Sequence, residues 1–421
     1  MRHPRAFKRN SLAVAALAVL CVAALAAVTT GEAPDKKPAT DWPRWRGPNL
    51  NGISAETGWL TKWPGKGPKQ LWKVNVGAGY SSVAVSKGRL YTMGNRKNTD
   101  IVWCLDAATG KELWKQSYPC RNVEHAGPRA TPTIDGDVVY TISQRGDVCC
   151  FKAASGEKVW SKNLAREIKA RVPRWGFAGS ALVEGKLLIV NIGTAGAALD
   201  KATGKVVWQT GRGASGYATP VAFDMDGRRC MLVFGATALF CVDAKTGKQA
   251  WSVPWKTKYD VNAADPIVVG SKIFISSGYS TGCGLLEVKE GKAEVLWRNR
   301  AMKNQFSTCV LLKGHLYGSD GNVEQRATTL KCMDFATGKV KWTYPGLRMT
   351  SLMAADGKLL VYSEQGALIV ADASPVGFKP ISRTQALTGR RCWTMPVLAA
   401  ARIYCRNNIR GDLVCLDVSG G

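Results

Sequence analysis

The chain has 421 residues, with 58 Lys and Arg against 31 Asp and Glu for a formal net charge of +27. So basic a protein is drawn to anionic polymers, lipid headgroups or acidic proteins. Three histidines exclude a histidine-rich metal site, and thirteen cysteines are unusual in a chain whose N-terminus marks it for export.

Arg2, Arg5, Lys8 and Arg9 precede an apolar run from Leu12 to Val28, and Ala24-Leu25-Ala26 offers a small-residue cleavage site. Residues 1–26 are therefore expected to be a secretory signal peptide, which places the mature protein in the periplasm or cell envelope and disfavours nucleic acid as a partner. An uncleaved anchor is the alternative, because the run approaches the ~18 residues of a membrane span. Cys21 lies inside the run after bulky Leu20, which argues against a lipoprotein. No second stretch qualifies as transmembrane, so no span is expected after cleavage. Residues 27–68 read as a linker and arm. Gly31 to Thr40 is rich in Pro and Lys, and Trp42, Trp45, Trp59 and Trp63 follow in Pro/Gly-rich sequence without periodicity. Four indoles so close together will not stay in water. The expectation is an irregular arm laid over the body of the protein, with a ligand platform as the alternative.

From residue 69 to 421 a repeat takes over. Val102 to Trp114 reads as a strand, a tight turn at Asp106-Ala107-Ala108-Thr109-Gly110, and a second strand ending on tryptophan. The unit returns with Trp160, Trp208, Trp251 and Trp342, in a looser, longer form with Trp297, and in a worn form where Phe378 stands for the tryptophan. An eighth copy is cut off at Val414-Cys415-Leu416-Asp417, and its missing strand is Leu71-Trp72-Lys73-Val74 at the other end of the chain. A period of ~40–50 residues with several strands per unit indicates an all-β fold, an eight-bladed β-propeller closed by an N-terminal outer strand. The tryptophans are expected on the outer strands, docked between blades.

Aligning the first strand of each unit gives three registers. The central one holds Ser81, Ala130, Gly179, Ala218, Ala264, Ser307, Ser351 and Thr394, all small, as strands converging on an axis require. The preceding one holds Tyr80, Arg129, Ala178, Tyr217, Ala263, Phe306, Thr350 and Trp393; the following one holds Ser82, Thr131, Ser180, Thr219, Asp265, Thr308, Leu352 and Met395. Aromatic rings, an arginine and a carboxylate thus gather at one mouth of the channel, near His125, Trp175, Tyr259, Asp260 and Asn262. The candidate ligand-binding set is Tyr80, His125, Arg129, Trp175, Tyr217, Asn262, Asp265, Phe306 and Trp393. The alternative is that these residues plug the channel and fasten blades; Arg129 and Asp265 either pair across it or face a wet pocket.

The Leu/Val-Asp-x-x-Thr-Gly-Lys-x-x-Trp unit resembles the pyrroloquinoline-quinone (PQQ) repeat, which builds quinoprotein alcohol dehydrogenases and the propeller lipoprotein of the outer-membrane β-barrel assembly machine. The Asp41–Gly47 arm, Gly127–Pro132, Tyr259–Pro266 and Cys392-Trp393-Thr394 are similar to PQQ-binding-like repeat proteins of bacterial envelopes. The resemblance implies either of two functions. One is a non-catalytic binding or scaffolding propeller whose partner is an envelope protein or anionic envelope polymer. The other is an oxidoreductase using PQQ with Ca²⁺. Lean blades, an unmatched Glu/Asn/Asp metal set and the lack of Cys-x-x-Cys-His favour the first, with no catalytic or metal-binding residue assigned. Cys149-Cys150 invites comparison with the vicinal disulfide of the enzymes, but strand neighbours point to opposite faces, and Cys150 aligns with Cys104, Cys241, Cys332 and Cys415 as a buried packing position. Cys405 and Cys415 flank the last hairpin and are candidates for pairing across it. Gly211 to Gly216 spells G-x-G-x-x-G but leads into a strand rather than a helix, and Asp224-Met225-Asp226-Gly227 reads as a hairpin turn.

Overall fold

The computed structural model describes residues 41–325 and 327–420; the expected signal peptide and most of the linker lie outside them. Eight antiparallel sheets follow one another along the chain. Blade 1 runs from Ala84–Ser86 to Glu112–Pro119, blade 2 from Thr133–Asp135 to Lys158–Asn163, and blade 3 from Leu182–Glu184 to Val206–Gln209. Blade 4 runs from Val221–Met225 to Gln249–Pro254, blade 5 from Ile267–Val269 to Lys292–Asn299, and blade 6 from Val310–Leu312 to Val340–Tyr344. Blade 7 extends from Thr350–Ala355 to Pro380–Gln385, and blade 8 contains Val397–Ala399, Arg402–Arg406 and Asp412–Asp417. Its fourth strand is Gln70–Asn75, antiparallel to Asp412–Asp417 with Trp72 opposite Cys415. The propeller closes as expected, and the closing pair removes a free sheet edge.

The repeated hairpin owes its shape to its own side chains. Asp106 Oδ1 accepts from Ala108 N–H (3.1 Å), Thr109 N–H (2.8 Å) and the Thr109 hydroxyl (2.8 Å). Asp200, Asp243 and Asp334 hold Thr203, Thr246 and Thr337 in the same way. Each tryptophan then crosses to the next blade. The indole N–H of Trp208 donates to Ala244 O at 2.9 Å, that of Trp114 to Ala153 O at 2.9 Å, and that of Trp72 to Ala107 O at 3.2 Å. The Trp208 ring lies flat on Gly247, whose φ is +70°; a Cβ there would sit 2.6 Å from the ring. Only glycine meets both demands. Trp251 departs from this pattern, because the longer hairpin of blade 5 offers no such glycine, and its N–H points to Met225 Sδ at 3.3 Å. Phe378 does not replace the missing tryptophan. It packs back on Trp342, with ring centroids 5.8 Å apart, and so receives the indole of blade 6 rather than reaching blade 8.

Except in blade 7, where Thr350, Ser351 and Leu352 are already paired with the second strand, the first-strand registers precede the ladders, and amides of the third register find partners in neighbouring blades. Ser82 N–H donates to Thr131 Oγ1, Thr131 N–H to Ser180 Oγ, Ser180 N–H to Thr219 Oγ1, Thr219 N–H to Asp265 Oδ1 and Asp265 N–H to Thr308 Oγ1, all at 2.8–3.1 Å. This chain of hydrogen bonds links blades 1 to 6. Leu352 and Met395 interrupt it. Thr350 N–H on Ser319 Oγ and the Ser351 hydroxyl on Trp393 O join blades 6, 7 and 8 there, and buried Arg406 donates to Ser81 O, Thr92 Oγ1, Met93 O and Gly77 O, fastening blade 8 to blade 1.

The arm is anchored far more specifically than its composition suggests. Trp42 forms a bridge with Val85, Ile134 N–H donates to Pro43 O, and Arg46 reaches Thr308 O and Cys309 O. Ile53–Ser54 adds a parallel fifth strand to blade 7 against Ala354 and Ala355. Glu56 then accepts from Ala401 N–H in blade 8. These stations lie at the far ends of the first strands, opposite the Tyr80 register. The arm therefore closes one end of the channel.

All twelve described cysteines are buried and unpaired. Cys405 sits opposite Val414, and Cys415 opposite Tyr404, so the last hairpin holds no disulfide. Cys104, Cys150, Cys332 and Cys415 each lie between a tyrosine on one strand and a tryptophan on the other, which makes them small packing elements.

Candidate functional site: the aromatic mouth of the channel

With the arm as its floor, the channel is a cavity of about 300 Å³ open at the other end, at the lower edge of the ~300–1,000 Å³ common for ligand sites. Tyr80, His125, Arg129, Trp175, Tyr217, Asp265, Phe306 and Trp393 all line it. Asn262 does not. Its amide is fully buried, donating to Gly235 O, Ala236 O and Trp255 O and accepting from Ser277, while its carbonyl takes the N–H groups of Tyr217 and Ala218. Asn262 joins blades 4 and 5 and leaves no atom for a ligand.

Asp265 is also largely committed. Its carboxylate accepts from the Trp45 indole N–H at 2.6 Å and from Thr219 N–H at 2.8 Å, with Arg46 Nε 3.8 Å away. Burial pushes its pKa up, opposed chiefly by Arg46. The partner of Asp265 is thus the arm, and no ion pair joins it to Arg129. Trp45 belongs to the floor as well as to the arm.

Arg129 stands on the wall with three oxygens around it and no carboxylate. It donates to Gly127 O (2.6 Å), Gln144 Oε1 (3.1 Å) and His125 O (2.9 Å), with Tyr80 5.3 Å from its guanidinium carbon. Among the described residues no acid lies within ion-pair distance of it. Burial lowers its pKa to about 10, so it remains charged at neutral pH. His125 is held below the usual imidazole range by burial and then by Arg391 and Arg129, and is neutral there. Trp393 stacks on Tyr80 at 5.9 Å and meets Phe306 at 4.9 Å, and its buried indole N–H has no acceptor. Around the rim, Arg174 lies over Trp175, Lys258 over Tyr259 and Arg391 over Trp393. Tyr259 and Arg391 hold φ of 68° and 63°, conformations costly for residues with side chains.

First-strand alignment missed Tyr279, Gln305, Glu124 and Glu324, which also line the cavity. Tyr279 comes from the turn between the second and third strands of blade 5, where no shared register marks it. Gln305 directly precedes Phe306 and was legible by extending the register one residue back.

A Ca²⁺-held quinone does not fit this donor set. Asp265 is engaged by Trp45, Thr219 and Arg46, and Glu124 is ion-paired with Arg174 at 2.7 Å. Among the described residues no three His, Cys, Asp or Glu converge to hold a metal. Cys149 and Cys150 sit in an intact strand in blade 2.

The model of a family described as "Outer membrane protein assembly factor BamB" matches residues 65–125 and 98–344. Outer membrane protein assembly factor BamB of Burkholderia pseudomallei is 29% identical over 267 residues, covering 60% of this chain and 64% of that protein. A 1-butanol dehydrogenase (quinone) of Thauera butanivorans is 29% identical over 176 residues, 37% of this chain and 26% of that enzyme. The chain thus spans less than two thirds of the length of either curated relative. The crystal structure of BamB from Moraxella catarrhalis superposes with a TM-score of 0.62 at 18% identity, covering 83% of this chain and 99% of that one, a likeness of fold. With the family model covering well over half of its length, the chain belongs to the PQQ-repeat propeller family described as outer membrane protein assembly factor BamB.

Proposed function

We propose that this protein is a non-catalytic binding or scaffolding propeller of the cell envelope, exported on residues 1–26, that engages an envelope protein or anionic envelope polymer at the aromatic mouth. The observation that carries this reading is the closed floor. Trp45 and Arg46 occupy the carboxylate of Asp265, leaving a one-ended pocket with aromatic walls and a cation and, among the described residues, no acid cluster able to hold a metal. Such a pocket suits recognition, because rigid blades hold the mouth loops in place. The family relationship to an assembly factor supports the same reading.

Two measurements test it. Purified mature protein incubated with PQQ and Ca²⁺ is expected to show no alcohol-dependent dye reduction; stoichiometric quinone binding with turnover overturns the binding reading. Affinity capture from envelope extract is expected to yield a partner that Arg129→Ala and Trp393→Ala both lose. Capture that survives both changes, in folded proteins, places the working surface elsewhere.

A further inference from the structure

The pocket has an unmet electrostatic requirement that narrows what it can hold. The guanidinium groups of Arg406, buried, and Arg129, half-buried on the cavity wall, both lack a carboxylate within ion-pair distance among the described residues, and they are not equivalent. Arg406 is fully enclosed by four oxygen acceptors and faces no cavity. Arg129 has three acceptors, an aromatic face and an open side on the cavity. Carbonyl oxygens and a ring face supply partial charges only. A cation half withdrawn from water and without a countercharge is the place where an anion gains most, and the cavity is where one can come from.

The surroundings select among anions. Among the described residues Arg129 is the one Arg or Lys that lines the cavity, and Glu124, Asp265 and Glu324 also line it. A dianion such as phosphate monoester would meet too much negative charge there, whereas one carboxylate matches one guanidinium fork. Above the Trp45 floor, the rings of Tyr80, Trp175, Tyr217, Tyr279, Phe306 and Trp393 surround the remaining space, which suits a bulky apolar group. The Trp393 indole N–H, buried without an acceptor, is a ready donor to an oxygen.

The pocket is also open at one end only, so an occupant enters end-on and whatever follows it leaves past the rim. That rim is built for contact. Arg174, Lys258 and Arg391 each lie over an aromatic ring within 5.4 Å of its centroid. A small free acid would leave these groups unused; a chain continuing outward would not.

We propose that the mouth binds the C-terminal end of a polypeptide, with the terminal carboxylate on Arg129 and a bulky apolar last side chain among the aromatic rings. This rests on the mouth being the working site. The probe is an N-terminally dye-labelled five-residue peptide of glycine and alanine ending in phenylalanine, made as the free acid and as the amide. Binding to the mature protein is read by fluorescence polarisation at neutral pH. The acid is expected to bind ~10- to 100-fold more tightly than the amide, the worth of one charge-assisted hydrogen-bonded contact. Arg129→Met should erase that difference, Arg129→Lys should restore part of it, and Trp393→Phe should weaken the acid. Lys205→Met, on an exposed outer hairpin, should leave the difference intact. The acid–amide comparison on the unaltered protein needs no variant to fold.

Equal binding of acid and amide overturns the proposal, as does failure of both to bind at millimolar concentration. So does displacement of the acid by sub-stoichiometric PQQ and Ca²⁺. If acid and amide bind alike while partner capture still depends on Arg129 and Trp393, the chain-end proposal falls and the binding reading stands.

Discussion

The docked tryptophans give the sharpest stability test, and Trp208 is the best placed. Its side chain is 7% exposed, packs among Leu182, Ile189, Met231 and Val233, and donates to Ala244 O at 2.9 Å. An indole of ~150–250 Å² at ~25 cal/mol/Å² is worth roughly 4–6 kcal/mol as an upper bound. Residual burial in the denatured chain and the Cβ kept by alanine reduce this. The lost hydrogen bond restores about 1 kcal/mol. Trp208→Ala is therefore expected to cost ~3–5 kcal/mol, read from the midpoint and slope of a guanidinium titration. The same reasoning predicts coupling to Gly247. Gly247→Ala collides with the ring and strains a φ of +70°, so part of its cost should vanish once Trp208 is alanine. A loss below ~1 kcal/mol for Trp208→Ala, with the slope unchanged, would refute the docking account.

Arg406→Met leaves Ser81 O, Met93 O and Gly77 O without their donor and should cost at least ~2 kcal/mol; Arg406→Lys should not rescue it in the same titration, because an ammonium cannot span those acceptors. Asp100 is fully buried, with Asn95 Nδ2 2.6 Å from one oxygen and no hydrogen-bond partner at the other, and burial raises its pKa to about 6. Its folded pKa exceeds the unfolded one, so its contribution is complete below pH ~4 and is lost as pH rises through about 6, on the order of 2–3 kcal/mol; Asp100→Asn should abolish that decline in a wild-type-minus-variant titration. The twelve described cysteines are buried and free, so thiol reagents should find none of them in the native protein and all of them in denaturant, with thermal stability unchanged by reductant.

The blades were legible because each repeat carries its own physical chemistry. Asp106, Thr109, Gly110 and Trp114 specify turn, hydrogen bonds and docking within one short stretch, and seven other stretches vary the same solution. The broken eighth copy then required closure by Leu71–Val74, which is where the pairing lies. The arm was only half legible. Its tryptophans announced burial, but Trp45 meets Asp265 across 220 residues, and no local pattern encodes that meeting. For the same reason Asp265 looked like a mouth charge seeking Arg129, when Arg46 and Trp45 had already taken it. Asn262 was misplaced because nearness along the chain says nothing about which way an amide points. Tyr279 was missed because it comes from a turn outside the aligned strand.

The ring's departures from eight-fold likeness fall together. Amide-to-side-chain hydrogen bonds of one register pass from Ser82 to Thr308 through five junctions, and that series ends at Leu352 and Met395, in blades 7 and 8. There Thr350 N–H on Ser319 Oγ, the Ser351 hydroxyl on Trp393 O and the Ser82 hydroxyl on Met395 O join the blades. Those blades are held in addition by the closing strand Gln70–Asn75, by the extra strand Ile53–Ser54 and by Arg406. All three devices are particular to this part of the ring, and two of them come from the N-terminal segment. The same sector supplies Trp393, stacked between Tyr80 and Phe306 with its N–H unpaired. A register that serves only as a fastener must present a small hydroxyl or carboxylate. Where closure is achieved by other means, that demand lapses, and apolar Leu352 and Met395 can stand in the fastener register. The aromatic mouth lies two residues earlier in each first strand, and Tyr80, Tyr217 and Phe306 stand there in blades whose fasteners at Ser82, Thr219 and Thr308 are intact. The N-terminal segment thus closes the circle and seals the floor, while the rings of the mouth are carried by the blades themselves.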